Sequence, residues 1–184
     1  VQFDAAPRFL GIDGKGREVL TYFEGEVPPD LGYWHSNILE AAASIIRRFH
    51  DATAGSELAH PNEVVCHNDL SPCNTVFVGG LPRFLIDFDA AHPGSRVRDL
   101  AYAAWLWLDI GNEEIGARVQ ASRLRLFLKA YGWEDTAQLM AEMVSRQEEL
   151  KSAAKTRGWH DTATWAGTCR HWVEKHRRVL EMGY

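Results

Sequence analysis

The chain has 184 residues, 46% apolar, 24% charged and 11% aromatic, a mixture that excludes disorder and collagen-like repeats and gives length for one domain with a substantial core. Lys and Arg number 20 against 25 Asp and Glu, a formal net charge of −5, which weighs against a general nucleic-acid or anionic-membrane binder. Cys66, Cys73 and Cys169 cannot all pair and show no CxxC spacing, so the reading is a reducing, cytoplasmic setting without a disulfide scaffold or structural zinc site.

In chain order, residues 7–13 and 18–23 read as the arms of a β-hairpin around Gly14-Lys15-Gly16, closed by Gly25 and Pro28-Pro29. The start, Val1-Gln2-Phe3-Asp4, lacks the basic and apolar regions of a signal peptide. From residue 36 to 54 the period changes: Ile38, Leu39, Ala42, Ile45, Ile46 and Phe49 recur at three- and four-residue intervals, predicting a helix that stops at Gly55. Strands are predicted at 63–66, 74–78 and 83–88, with residues 79–82 as the turn between the last two.

The remainder reads as helices at 99–108, 117–131, 135–155 and 162–180. The first is apolar on most sides and therefore buried. The most hydrophobic stretch, 100–110, is too short to cross a membrane. Trp105 and Trp107 lie two apart and cannot share a helix face, so one is expected in the core and the other at a groove or partner surface.

The informative segment is His67-Asn68-Asp69-Leu70-Ser71-Pro72-Cys73-Asn74, followed by Ile86-Asp87-Phe88-Asp89. It has the form H-x-D-x-x-x-x-N, then a strand hairpin ending in D-F-D. Phosphoryl transfer needs these residue types: a carboxylate to orient an acceptor hydroxyl and take its proton, and an amide oxygen with a second carboxylate to hold magnesium against nucleotide phosphates. Asp69 and Asn74 share one loop, and the hairpin returns the chain so that Asp87 lies beside it. His67 is read as a structural hydrogen-bonder that orients the loop. Each piece alone is weak; their joint, ordered occurrence is strong.

These residues resemble the aminoglycoside phosphotransferase and choline kinase-like family, small-molecule kinases related to protein kinases. The resemblance implies an α+β, protein-kinase-like fold, ATP and Mg2+ as cofactors, and a small aminoglycoside-, choline- or sugar-like acceptor. It implies Asp69 as the base, Asn74 and Asp87 on the metal, and His67 and Asp99 as structural support, Asp99 lying in an Arg98-Asp99-Leu100-Ala101 segment of the family type. As an isolated residue Asp99 reads equally as a helix N-cap. Residues 18–25 resemble the hinge between lobes, with the Thr21 carbonyl and Phe23 amide toward adenine and Leu20 lining the pocket. In the family the C-terminal helices help build the acceptor site, making Glu142, Glu148, Glu149, Asp161 and a tryptophan among Trp159, Trp165 and Trp172 candidates there. As plain residues, these read as solvated charges and core aromatics.

The expected division is a remnant N-terminal lobe and hinge at 1–27 and a helical C-terminal lobe at 28–184. The family's phosphate-covering loop, strand lysine and helical glutamate have no counterpart before the hinge, where Lys15 sits in a turn. Losing two or three charge-assisted phosphate contacts weakens nucleotide binding by roughly a thousandfold. The alternative reading is therefore a non-catalytic, truncated or degenerate kinase-like binding module. A metal hydrolase using His67, Asp69 and Asp87 is disfavoured, because it leaves Asn74 and the hinge unexplained. An apolar hairpin surface left uncovered is expected to promote a homodimer; no nucleic-acid or membrane partner is expected.

Overall fold

A computed structural model describes residues 3–182; the outer ends of the two expected segments, residues 1–2 and 183–184, lie outside them. The order is β1 (Phe9–Ile12), β2 (Glu18–Leu20), α1 (Ser36–Thr53), β3 (Val64–Cys66), β4 (Thr75–Val78), β5 (Leu81–Leu85), β6 (His92–Gly94), α2 (Arg96–Leu108), α3 (Ala117–Tyr131), α4 (Thr136–Thr156) and α5 (His160–Met182). Among the described residues, three two-stranded antiparallel sheets and five α-helices give the expected α+β architecture.

The β1–β2 turn is closed by Asp13, whose Oδ1 accepts the Lys15 and Arg17 amides at 2.8 and 2.9 Å. Its partner strand ends at Leu20, shorter than the predicted arm to residue 23. Phe9, Leu10, Ile12, Val19, Leu20 and Tyr22 are all exposed. The chain then runs extended to an isolated antiparallel bridge between Glu26 and Phe77, which attaches this hairpin to β4.

Helix α1 follows its apolar period, burying Leu39, Ala42, Ile45, Ile46 and Phe49 against the body of the molecule. Between α1 and α2 lies the β-rich section. There β4 and β5 form a hairpin whose turn is narrower than predicted, because Gly79 and Gly80 both adopt positive φ (61° and 75°) and suffice as a two-residue loop, leaving Leu81 and Pro82 in β5. The predicted strand to residue 88 ends at Leu85, since Asp87 turns the chain at φ 63°. Strand β6 was not expected from Pro93 and Gly94; it forms by pairing with β3, Val64 opposite Gly94 and Cys66 opposite His92.

Helix α2 begins at Arg96, three residues before the expected start, so Asp99 lies inside the helix and Ser95 occupies the N-cap position. Both Trp105 and Trp107 are 1% exposed, correcting the expectation that one would face outward. Protein surrounds α2 on opposite sides: Trp105 stacks on Trp165 of α5 at 4.7 Å, while Trp107 meets Phe77 of β4 at 6.1 Å. Helices α4 and α5 form a helical hairpin turning at Gly158, with α4 capped by the Asp135 side chain on the Gln138 amide. Among the described residues no helix is long and apolar enough to cross a membrane.

Candidate active site

The loop from His67 to Asn74 leaves β3 and is held from several directions. Its second residue, Asn68, adopts φ 66°, an uncommon conformation for a residue with a side chain. The Asn68 amide donates to Asp99 Oδ1 at 2.8 Å, its side-chain nitrogen donates to the Ala90 carbonyl at 3.0 Å, and its carbonyl accepts from Arg146 at 3.1 Å. Its amide, carbonyl and side-chain nitrogen are thus engaged, and they hold the turn that leads into Asp69.

Asp99 anchors the loop from beneath. Its Oδ2 accepts the His67 amide at 2.8 Å and His50 Nε2 at 3.0 Å, and His50 Nδ1 lies 2.7 Å from the Tyr131 hydroxyl. Asp99 and His50 are both buried. Burial opposes a charged Asp99, but the hydrogen bond from His50 and those from the His67 and Asn68 amides outweigh it, holding the carboxyl below the ordinary range. A carboxylate meeting three donors is the arrangement that tolerates burial.

His67 Nε2 donates to the Ile86 carbonyl at 3.0 Å, tying the loop to the residue before Asp87. The Ile86 amide in turn donates to the Asn74 carbonyl at 3.0 Å. Phe88 packs against His67, with ring centroids 4.5 Å apart. Asp87 is therefore registered to the loop by the Ile86 backbone before it and the Phe88 ring after it.

Asp69 and Asn74 touch directly. Asn74 Nδ2 donates to the Asp69 carbonyl at 2.9 Å and to Asp69 Oδ2 at 2.8 Å. Both amide hydrogens are thereby used, and Asn74 Oδ1 is left as a free oxygen, as is the exposed Asp87 carboxylate, which accepts no hydrogen bond among the described residues. Tyr102 of α2 is buried close to Asp69; burial, and then the Asp69 carboxylate, push its phenol far up, so it remains protonated. The Arg146 guanidinium lies over the Tyr102 ring at 4.6 Å.

The predicted hinge residues sit on a separate extended segment. Thr21 is fixed by its amide, which donates to the Arg8 carbonyl (2.9 Å), and by its hydroxyl, which accepts from the Arg8 amide (2.8 Å), while its own carbonyl and the Phe23 amide are free of hydrogen bonds among the described residues. Phe23 stacks on Phe84 of β5 at 3.9 Å, and Leu20 is 46% exposed. The β4–β5 hairpin is thus the common support: Asn74 immediately precedes it, Asp87 follows it, and the segment carrying Phe23 lies against it.

Three of the four acidic acceptor-site candidates are taken up in internal ion pairs. Glu142 and Glu149 meet Arg98 at 3.4 and 2.6 Å, and Glu148 meets Lys151 at 3.0 Å. Asp161 is exposed in the first turn of α5. Trp165 and Trp172 pack inward, and Trp159 is half exposed beneath Arg157. Sequence reasoning missed His50, Asn68, Tyr102 and Arg146. Only His50 left a signal, standing four residues after Ile46 on the apolar stripe of α1. The other three act through backbone conformation or through contacts between distant segments.

The model of a phosphotransferase enzyme family matches residues 4–141. The chain is also similar to the trifolitoxin immunity protein of Rhizobium leguminosarum bv. trifolii, 30% identical over 215 aligned positions that cover 97% of this chain and 82% of that protein.

Proposed function

The chain belongs to the phosphotransferase enzyme family, and from that premise we propose that it transfers the terminal phosphoryl group of ATP to a hydroxyl of a small molecule, with Asp69 as the base and Asn74 and Asp87 holding Mg2+. The observation that carries this reading is the double hydrogen bond from Asn74 to Asp69.

The donor set suits a magnesium ion. Asn74 Oδ1 and the Asp87 carboxylate are hard oxygens, and one or two such ligands beside substrate phosphates are the usual protein share of a magnesium site. Among the described residues no cluster of three or more His, Cys, Asp or Glu could cage a metal by itself. When bound, the ion would neutralise charge on the transferring phosphoryl group.

The residues have separable tasks. Asp69 receives the acceptor proton through the oxygen that Asn74 leaves free, and the hydrogen bond to its other oxygen fixes the carboxylate's rotation. Asn68, held in its turn by Asp99 and Arg146, sets the direction from which Asp69 approaches. His67 keeps Asp87 in register with the loop. The free Thr21 carbonyl and Phe23 amide offer one acceptor and one donor to an adenine edge.

A second reading draws on the relative's name: the chain confers immunity to a toxin, either by phosphorylating it or by holding it as a non-catalytic module. The two are separated by titrating the chain with Mg-ATP in a calorimeter, with Asp87→Ala as control, and then following radiolabelled γ-phosphate into hydroxyl-bearing acceptors. Saturable, magnesium-dependent binding lost in the variant, with transfer lost in Asp69→Asn, supports the kinase reading. Absence of nucleotide binding overturns it in favour of the non-catalytic module.

A further inference from the structure

We propose that the α4–α5 hairpin carries a second site, a groove that binds a small phosphate-bearing polyanion. Its cavity, about 520 Å³, lies between the last turns of α4 and the first half of α5 and is lined by Lys151, Lys155, His160, Thr164, Thr168 and His171 over a floor of Ala163 and Gly167. None of these residues belongs to the candidate active site. The volume is that of a small-molecule pocket.

The lining is one-sided in charge. It holds two lysines, two histidines and two hydroxyls but no carboxylate. Residues 151–184 contain seven Lys and Arg against three Asp and Glu, whereas the preceding 150 contain thirteen against twenty-two. A cationic surface on an acidic chain is a local feature, not a by-product of composition. Glu148 engages Lys151 from the rim at 3.0 Å, but Lys155 has no ion-pair partner among the described residues. His160, Thr164, Thr168 and His171 recur at three- and four-residue intervals, so they form one donor-bearing stripe of α5. Thr164 Oγ1 donates to the His160 carbonyl at 2.9 Å, so the lysine ammoniums, the imidazoles and the Thr168 hydroxyl are the groups left to meet a tetrahedral oxyanion.

The floor supplies an independent observation. Gly167 stands inside α5, where glycine costs about 1 kcal/mol relative to alanine. A Cβ added there would meet only Lys151 Cδ at 3.5 Å and Cε at 3.8 Å, ordinary contacts. Packing therefore does not require glycine at this position. What glycine provides is an open floor beneath the lysine.

The test is calorimetric titration of the full chain with sodium tripolyphosphate, without magnesium or nucleotide. Saturable binding is expected, unchanged in Asp87→Ala and weakened about tenfold or more in Lys155→Gln/His171→Gln, for the loss of charge-assisted contacts. Gly167→Leu, which fills the floor, should abolish it; the surface double variant keeps the test decisive if the leucine variant misfolds. No binding by the wild type, equal binding by the double variant, loss in Asp87→Ala, or a preference for single-stranded RNA over tripolyphosphate would each overturn the proposal. The site stands or falls independently of the proposed kinase reaction.

Discussion

The side-chain amide of Asn74 bridges the backbone carbonyl and Oδ2 of Asp69, at 2.9 and 2.8 Å, so one residue both orients the proposed base and turns its own oxygen outward. Asn74→Asp keeps the shape but replaces the donor with a second carboxylate at hydrogen-bond distance. Two carboxylates so close cannot both ionise freely. Phosphotransfer should fall at least about a hundredfold, comparable to the loss in Asp69→Asn, while circular dichroism stays native. Wild-type turnover by Asn74→Asp would remove Asn74 from the mechanism.

Asp99 makes the loop's support dependent on acid. Its carboxyl is held below the ordinary range by His50 and two amides against the cost of burial, so its stabilisation is fully present above the unfolded value of about 3.9. As pH falls below that value toward the folded pKa, the stabilisation is lost. Asp99→Ala should cost about 3–5 kcal/mol at neutral pH, because it strands the donors that the carboxylate satisfied. Urea unfolding at pH 7 and pH 3 checks this: the gap between wild type and variant should narrow in acid. A constant gap would mean that packing, not charge, carries the effect.

Much of this site was legible in the sequence, and what was missed had physical reasons. The ordered His67, Asp69, Asn74 and Asp87 lie on chain-local loops at the ends of short strands, where spacing limits the geometry. Helix α1 could be read from its period alone. Strand β6 was hidden because Pro93 and Gly94 have no intrinsic strand preference and pair only through β3. The expectation that one of Trp105 and Trp107 faces outward failed because a helix wrapped on opposite faces buries residues that helical spacing separates. Arg146 reaches the Asn68 carbonyl across 78 positions, and no local pattern encodes that contact.

The thiols should differ sharply in reactivity. Cys66 and Cys169 are buried, and burial pushes their thiols up to about 12 and about 11. Thiolates being the reactive form, both should resist alkylation in the native chain. Cys73, half-buried between Pro72 and Asn74, should label first, though more slowly than free cysteine, because burial raises its thiol and the carboxylates of Asp30 and Asp69 reinforce the shift. Mass spectrometry after brief iodoacetamide treatment at pH 7.5 should find Cys73 modified before the other two, with all three modified in urea. Labelling of Cys66 at the rate of Cys73 would mean that β3 opens readily.

Gly25 controls how the β1–β2 hairpin is attached. A Cβ at this position would fall 2.5 Å from the Phe77 carbonyl oxygen and 2.5 Å from Val76 Cγ1, and the backbone atom cannot rotate aside. Next to it, Glu26 and Phe77 exchange backbone hydrogen bonds of 2.9 and 2.7 Å, the link by which the extended segment holds to β4. Gly25→Ala should break this link at a cost of about 1–3 kcal/mol, in the range of overpacked sites. Because β1 and β2 are otherwise exposed, the damage should stay local. Hydrogen exchange is expected to quicken across residues 8–26 and remain unchanged in α2 and α4. A uniform increase would instead show that hairpin and helical body unfold as one unit, against the expected division near residue 27.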